Sequence, residues 1–166
     1  MLEAIMNRRS IRKYKPDPLT DEQIKALLEA AMMAPSAKNG QPWHFVVVRD
    51  RAVIDRLRSE HPYAAMLEQA PVCVVVCAHP SSRMPEYYQQ DCAAATENLL
   101  LAAYELGLGS CWMGVSPYPE RMEPIMRTLG LPEGVVPFNM IAVGHPDEAP
   151  ASPSRYRTSR VHYDKW

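Results

Sequence analysis

The sequence predicts an α+β fold, a single sheet of four strands with five or so helices on its faces. Three observations predict it. Four apolar or β-branched runs, around 45–48, 72–77, 109–115 and 135–143, have the length of strands. Between them lie segments with apolar residues at helical spacing. The boundaries are sharply punctuated, because the chain carries 16 prolines in 166 residues, about twice the usual share of roughly 5%. The length fits one domain, and neither an internal repeat nor a linker divides residues 1–166.

In chain order, residues 2–8 predict a short helix that buries Leu2, Ile5 and Met6. Then comes Arg8-Arg9-Ser10-Ile11-Arg12-Lys13-Tyr14, four cations and a hydroxyl in seven residues. If this stretch is extended, Arg8, Ser10 and Arg12 point to one side, and Arg9 and Ile11 to the other. Arginine forks suit a phosphate, and a serine hydroxyl adds a further bond. Two readings stand for it: a holder for the phosphate tail and ring edge of a cofactor, or a solvated charge run at a helix end. Pro16 and Pro18 force an extended link. Thr20 with Gln23 forms a capping box, and Ile24, Leu27, Leu28 and Ala31 recur at helical spacing, which predicts a helix over 21–33. Residues 35–43 read as a loop by composition.

The run Phe45–Val48 predicts a strand, and Val53, Ile54 and Leu57 mark a helix. A weaker helical segment covers 63–69. Val72–Cys77 is apolar on both faces and is therefore expected to be a central strand. A loop follows over 79–85. Residues 86–106 form the longest predicted helix, with so little polar face in its second half that it must be buried, in the core of one chain or against a partner. Gly107 ends it. Residues 109–115 predict a strand. Residues 119–129 predict a helix, in one piece or in two because of Pro124, with Gly130 as its stop. The last strand covers 135–143. Residues 151–166 carry Arg155, Arg157, Arg160 and Lys165 against Asp164, a net of +3, which leaves −4 for the rest of a chain at −1. Tyr156, Val161, Tyr163 and Trp166 argue for a tail that lies over something rather than a disordered one.

Composition narrows the function. With 47% hydrophobic and 22% charged residues the chain reads as an ordinary soluble protein. The overall balance is not that of a nucleic-acid binder. No signal peptide is expected, and no apolar run approaches the roughly 18 residues of a membrane span. Cys73 and Cys77 share one strand face at roughly 13 Å, too far for a disulfide or a shared metal. With Cys92 and Cys111 they read as reduced, small apolar residues in a cytoplasmic protein. The five histidines show no metal-ligand spacing, so no metal is expected. His44 reads as a packed or capping residue. Neither glycine-rich phosphate loop is present, so a phosphorylated cofactor would have to be held by arginines from distant stretches.

Several motifs together resemble one family. They are Asn7–Tyr14, Ala34–Trp43, Gly107-Leu108-Gly109-Ser110-Cys111-Trp112-Met113-Gly114, Leu129-Gly130-Leu131-Pro132-Glu133, Ile141–Pro146 and Arg160–Trp166. In this order, over nearly the whole chain, the sequence resembles the nitroreductase family of FMN enzymes and is similar to its short members. The resemblance implies a mostly antiparallel central sheet flanked by helices and an intertwined homodimer with two FMN molecules at the subunit interface. It implies that Arg8, Arg9, Ser10 and Arg12 meet the ribityl phosphate and the pyrimidine edge of the flavin. Pro35, Ser36, Ala37 and Asn39 are expected to arrive from the partner subunit, with Gln41 near the ring. The backbone of Trp112, Met113 and Gly114 is expected along the ring edge. Arg155 is the tail arginine expected to complete the phosphate clamp, ahead of Arg157 and Arg160, and the tail serves either this clamp or dimer contacts.

The activity implied is hydride transfer from NAD(P)H through flavin to an electron-poor small molecule, a nitroaromatic or a quinone, by a ping-pong mechanism. No side chain is expected to act as a catalytic acid or base, because the flavin N5 carries the chemistry. Other readings remain open: another flavin reaction on the same fold, such as flavin reduction, reductive dehalogenation or desaturation, and a non-catalytic FMN storage or delivery protein.

Overall fold

The computed structural model describes residues 2–79 and 84–166. The helices are α1 (Leu2–Asn7), α2 (Asp21–Met32), α3 (Arg51–Ser59), α4 (Tyr88–Glu105) and α5 (Pro119–Leu129), and the strands are β1 (Trp43–Val48), β2 (Val72–Ala78), β3 (Gly109–Gly114) and β4 (Val136–Gly144). The strands form one sheet in the order β1-β2-β4-β3, with every neighbour antiparallel. This is the α+β architecture that the sequence predicts. Of the loop expected over 79–85, residues 80–83 lie outside the described residues.

Each strand divides its side chains between two apolar layers, as the two-residue period requires. From β2, which is buried throughout, Val72, Val74, Val76 and Ala78 join Leu27, Ala31, Leu99 and Ala103 of α2 and α4. On the other face Cys73, Val75 and Cys77 join Ile54, Leu57, Leu67 and Ile125 under α3 and α5. All four cysteines are free and buried, and burial pushes the thiols of Cys73, Cys77 and Cys92 up to about 12. They behave as small apolar residues.

Local signals explain several helix ends. The Thr20 hydroxyl accepts the Gln23 N–H at 3.2 Å, and the Gln23 side chain accepts the Thr20 N–H at 2.9 Å, which closes the capping box of α2. Asp50 caps α3 by accepting the Val53 N–H at 3.1 Å. Gly130, at φ 60°, stops α5 in the left-handed conformation that glycine adopts cheaply.

Several expectations are corrected. α1 buries Ala4 alone; Leu2, Ile5 and Met6 are 76%, 54% and 59% exposed. A helix of six residues lying against α4 has room for one small contact residue, and its apolar stripe faces away from the chain's own core. Of the two forms expected for α5 the single piece is found, running unbroken through Pro124. An interior proline costs about 3 kcal/mol, but buried Ile125 with half-buried Met122 and Leu129 anchors both halves to the same core. β1 starts at Trp43, and His44 is an exposed strand residue rather than a packed or capping one. The segment near 63–69 is a single 3₁₀ turn, Ala65–Glu68.

Candidate functional site

The cationic stretch is held in place by its backbone, with Arg8 and Arg9 half-buried and Arg12 and Lys13 exposed. The Ile11 N–H donates to Ser110 O at 2.9 Å, and Ser10 forms a parallel bridge to Ser110, so the stretch lies along the first half of β3. Gly109 permits this approach: a Cβ there would sit 2.8 Å from the Ile11 side chain. Buried Tyr14 donates its hydroxyl to Ile11 O at 2.5 Å and to Ala142 O at 3.3 Å, and burial drives its phenol well above the ordinary range. Glu148 accepts the backbone N–H groups of Arg12 and Lys13 at 2.5 and 3.3 Å.

Two adjoining grooves flank Arg8 and Arg9. One, of about 570 Å³, runs between the stretch and the end of α4 at Leu100 and Tyr104. The other, of about 550 Å³, is bordered by Arg8, Arg9 and Arg155. Arginines from both ends of the chain therefore share one groove. The tail is drawn there by Arg9, whose Nε donates to Ala151 O at 3.2 Å and whose Nη2 meets Ser152 Oγ, while the Ser152 hydroxyl donates to Met6 O at 2.7 Å. Arg8 Nε forms an ion pair with Glu97 Oε1 of α4 at 3.3 Å, in a geometry that leaves this buried nitrogen without a hydrogen bond. Arg12 is exposed and borders neither groove, as are Arg157 and Arg160. Burial raises the Cys111 thiol pKa, and the nearby Arg12 cation and Ser10 side chain act against it.

β3 is an edge strand, and its register decides which of its peptide groups are free. Val115 N–H donates to Phe138 O in β4 at 3.2 Å, whereas Ser110 O turns away from β4 to accept from Ile11. With antiparallel alternation, the N–H and C=O of Trp112 and Gly114 face the open edge, and those of Met113 face β4. Trp112 is half-buried, edge-to-face with Phe138 at 5.8 Å; Met113 is buried; Gly114 is exposed.

The 35–41 loop lies elsewhere. Ala37 N–H donates to Asp91 Oδ1 at 3.0 Å, in the first turn of α4, whereas the arginines face Glu97 and Tyr104. At 1.5 Å per residue those positions are roughly 9 and 20 Å further along the helix. One chain therefore does not bring the loop and the arginines together. Lys38, Asn39 and Gln41 all have φ between 47° and 52°, a conformation costly for residues with a side chain. Ser36 Oγ accepts the Gln41 N–H at 3.0 Å, and the Gln41 amide donates to Asn39 Oδ1 at 2.8 Å. Pro35 is exposed beside them.

Sequence reasoning missed Asp91, His61 and Arg121. A carboxylate at the start of an otherwise apolar helix was a visible signal for Asp91. His61 and Arg121 have no local signature; both reach Gly114 from distant elements, at 2.8 and 3.2 Å from its carbonyl oxygen. Among the described residues no group of three or more His, Cys, Asp or Glu is placed to hold a metal ion, and no helix is long and apolar enough to cross a membrane.

Comparison with known proteins adds to this geometry. The model of the nitroreductase family matches residues 5–60 and 57–145. A Methanothermobacter thermautotrophicus protein provisionally named NADH dehydrogenase/NAD(P)H nitroreductase is 45% identical over 167 residues, covering 100% of this chain and 87% of its own. An FMN-dependent nitroreductase of Clostridium difficile superposes with a TM-score of 0.94 at 28% identity, covering 100% of both chains. A provisionally assigned nitroreductase of Desulfovibrio desulfuricans, solved in complex with FMN, superposes with a TM-score of 0.86 at 33% identity, covering 99% of this chain and 95% of its own.

Proposed function

The chain belongs to the nitroreductase family, and from that premise we propose that it is an FMN-dependent oxidoreductase that oxidises NAD(P)H and reduces an electron-poor small molecule. The observation that carries this reading is the shared groove of Arg8, Arg9 and Arg155. Three guanidinium groups at one groove against the single carboxylate of Glu97 favour an anion there, and an arginine fork matches phosphate oxygens. Arg8 Nε supports the same fit: it is ion-paired with Glu97 but makes no hydrogen bond, so a phosphate oxygen can still give it one. The Trp112 peptide groups and the Gly114 N–H on the open edge suit the acceptors and donors of a flavin ring, and nothing lies within 4 Å of where a Gly114 Cβ would sit.

In this reading Arg8, Arg9 and Arg155 hold the phosphate, Ser10 and Arg12 the pyrimidine side, and the Trp112–Gly114 backbone the ring edge. Bound there, FMN would supply the hydride acceptor for NAD(P)H and then the electron source for a nitroaromatic or quinone, in two half-reactions of a ping-pong cycle. A second copy of the chain would supply Pro35, Ser36, Ala37, Asn39 and Gln41, which one chain holds at the far end of α4. The exposed apolar stripe of α1 supports a homodimer of this kind, and residues 150–166 would serve the phosphate clamp, the dimer contact or both.

Incubation with FMN, gel filtration and anaerobic addition of NADH or NADPH test the proposal. The expected result is a yellow protein that either nucleotide bleaches and a nitroaromatic or quinone recolours. A protein that emerges without flavin absorbance overturns it.

A further inference from the structure

The Gly114 carbonyl is held from outside the sheet by two donors. His61 Nε2 is 2.8 Å from it, and Arg121 Nη1 donates to it at 3.2 Å. His61 follows α3 and is 4% exposed; Arg121 lies in the first turn of α5, its guanidinium 4.2 Å from the Tyr118 ring centroid and 5.3 Å from that of Tyr63. Since a carbonyl can only accept, His61 Nε2 carries the proton. Its Nδ1 accepts the Tyr63 N–H at 3.2 Å. Both ring nitrogens are committed, and the ring is oriented as a neutral imidazole.

The pinned group is the peptide between Gly114 and Val115. Its N–H is bound to Phe138 O, so His61 and Arg121 lock the opposite end of the same plane. Gly114 is exposed and has no Cβ, hence its backbone would otherwise be the loosest on the edge of β3. With that plane fixed and Met113 bound to β4, the Gly114 N–H is left pointing at the open edge. The geometry points to His61 as a positioning residue that, together with Arg121, clamps the Gly114 peptide and so aims the free edge of β3 at the flavin ring. This rests on the functional reading above and assigns to the α3 and α5 sides of the fold a part in holding the cofactor.

The test uses the whole 166-residue chain with His61→Gln, which keeps an N–H donor, His61→Phe, which removes it, and Arg121→Met, which removes the second donor at a half-buried site. FMN affinity by fluorescence titration, the visible spectrum and the midpoint potential of bound flavin are the readouts, with melting of the apoprotein to establish folding. Wild type and His61→Gln are expected to bind FMN within about threefold of each other, whereas His61→Phe is expected to bind roughly tenfold more weakly, the scale of one lost hydrogen bond to an essential group. The flavin spectrum and potential should shift in His61→Phe and, in the same direction but less, in Arg121→Met. A folded His61→Phe with the affinity, spectrum and potential of wild type overturns the clamp while leaving the functional reading intact. Where His61→Phe does not fold, the same null result in Arg121→Met does so. A wild-type protein that binds no FMN overturns both.

Discussion

Arg8 separates two effects that are often merged, because its side chain meets a carboxylate of its own chain and borders the grooves. Its ion pair with Glu97 is partly solvated, with side-chain exposures of 21% and 46%, so the pair contributes at most about 1 kcal/mol to folding. A charged hydrogen bond to a phosphate is worth about 1.5–3 kcal/mol. Arg8→Ala should therefore weaken FMN binding by about 1.5–3 kcal/mol in a fluorescence titration, while urea unfolding of the apoprotein changes by less than about 1 kcal/mol. His61 gives a second prediction. Burial lowers its pKa below the ordinary 6.5, and the nearby Arg121 cation adds to this, while the bond to Gly114 opposes it. The unfolded chain then takes up a proton before the folded one does. Stability from this group is complete above pH 6.5 and is lost as pH falls from there through the lowered value. Urea melts across that range should show an acid slope in wild type that His61→Gln lacks.

At the scale of elements, the site depends on how closely the cationic stretch can lie on β3. Gly109 sets that distance. A Cβ there would meet Cβ, Cγ1 and Cγ2 of Ile11 at 2.8–2.9 Å, and a branched β-carbon has no flexible end to swing aside. Gly109→Ala should cost about 1–3 kcal/mol, as overpacking does, and should weaken FMN binding as well, because Arg8 and Arg9 ride on the same backbone. Unfolding and FMN titration of one preparation check both halves; unchanged values in both would place the arginines' register under other control. α4 works on a larger scale as a ruler. Its first turn holds the 35–41 loop through Asp91 and its middle faces Arg8 through Glu97, so one helix fixes the separation between the loop and the arginines, which in the proposed dimer serve different sites.

For the whole molecule, the exposed stripe of Leu2, Ile5 and Met6, together with exposed Met32 and Met33 at the end of α2, is more apolar surface than these elements need to expose. The protein should sediment as a dimer at micromolar concentration. Ile5→Glu should move it toward monomer and lower its FMN affinity in parallel, because the loop that completes the site would be lost. Sedimentation equilibrium with and without FMN measures this, and a monomeric wild type that binds FMN fully would remove the need for a second chain.

The sequence by itself determined the local structure and the family. Capping at Thr20 and Gln23, the left-handed stop at Gly130 and the doubly apolar run of β2 are set by residues a few positions apart, where short-range sterics and hydrogen bonding dominate. The cationic motif and the glycine-bounded strand were legible for the same reason. Only the tertiary structure decided that Arg155 joins Arg8 and Arg9, that α1 turns its apolar stripe outward, that the 35–41 loop answers to Asp91, and that His61 and Arg121 meet at Gly114. Each of these joins residues from separate elements, and such contacts follow from sheet register and helix packing. Those are chosen by burial of the whole core rather than by any neighbouring residue.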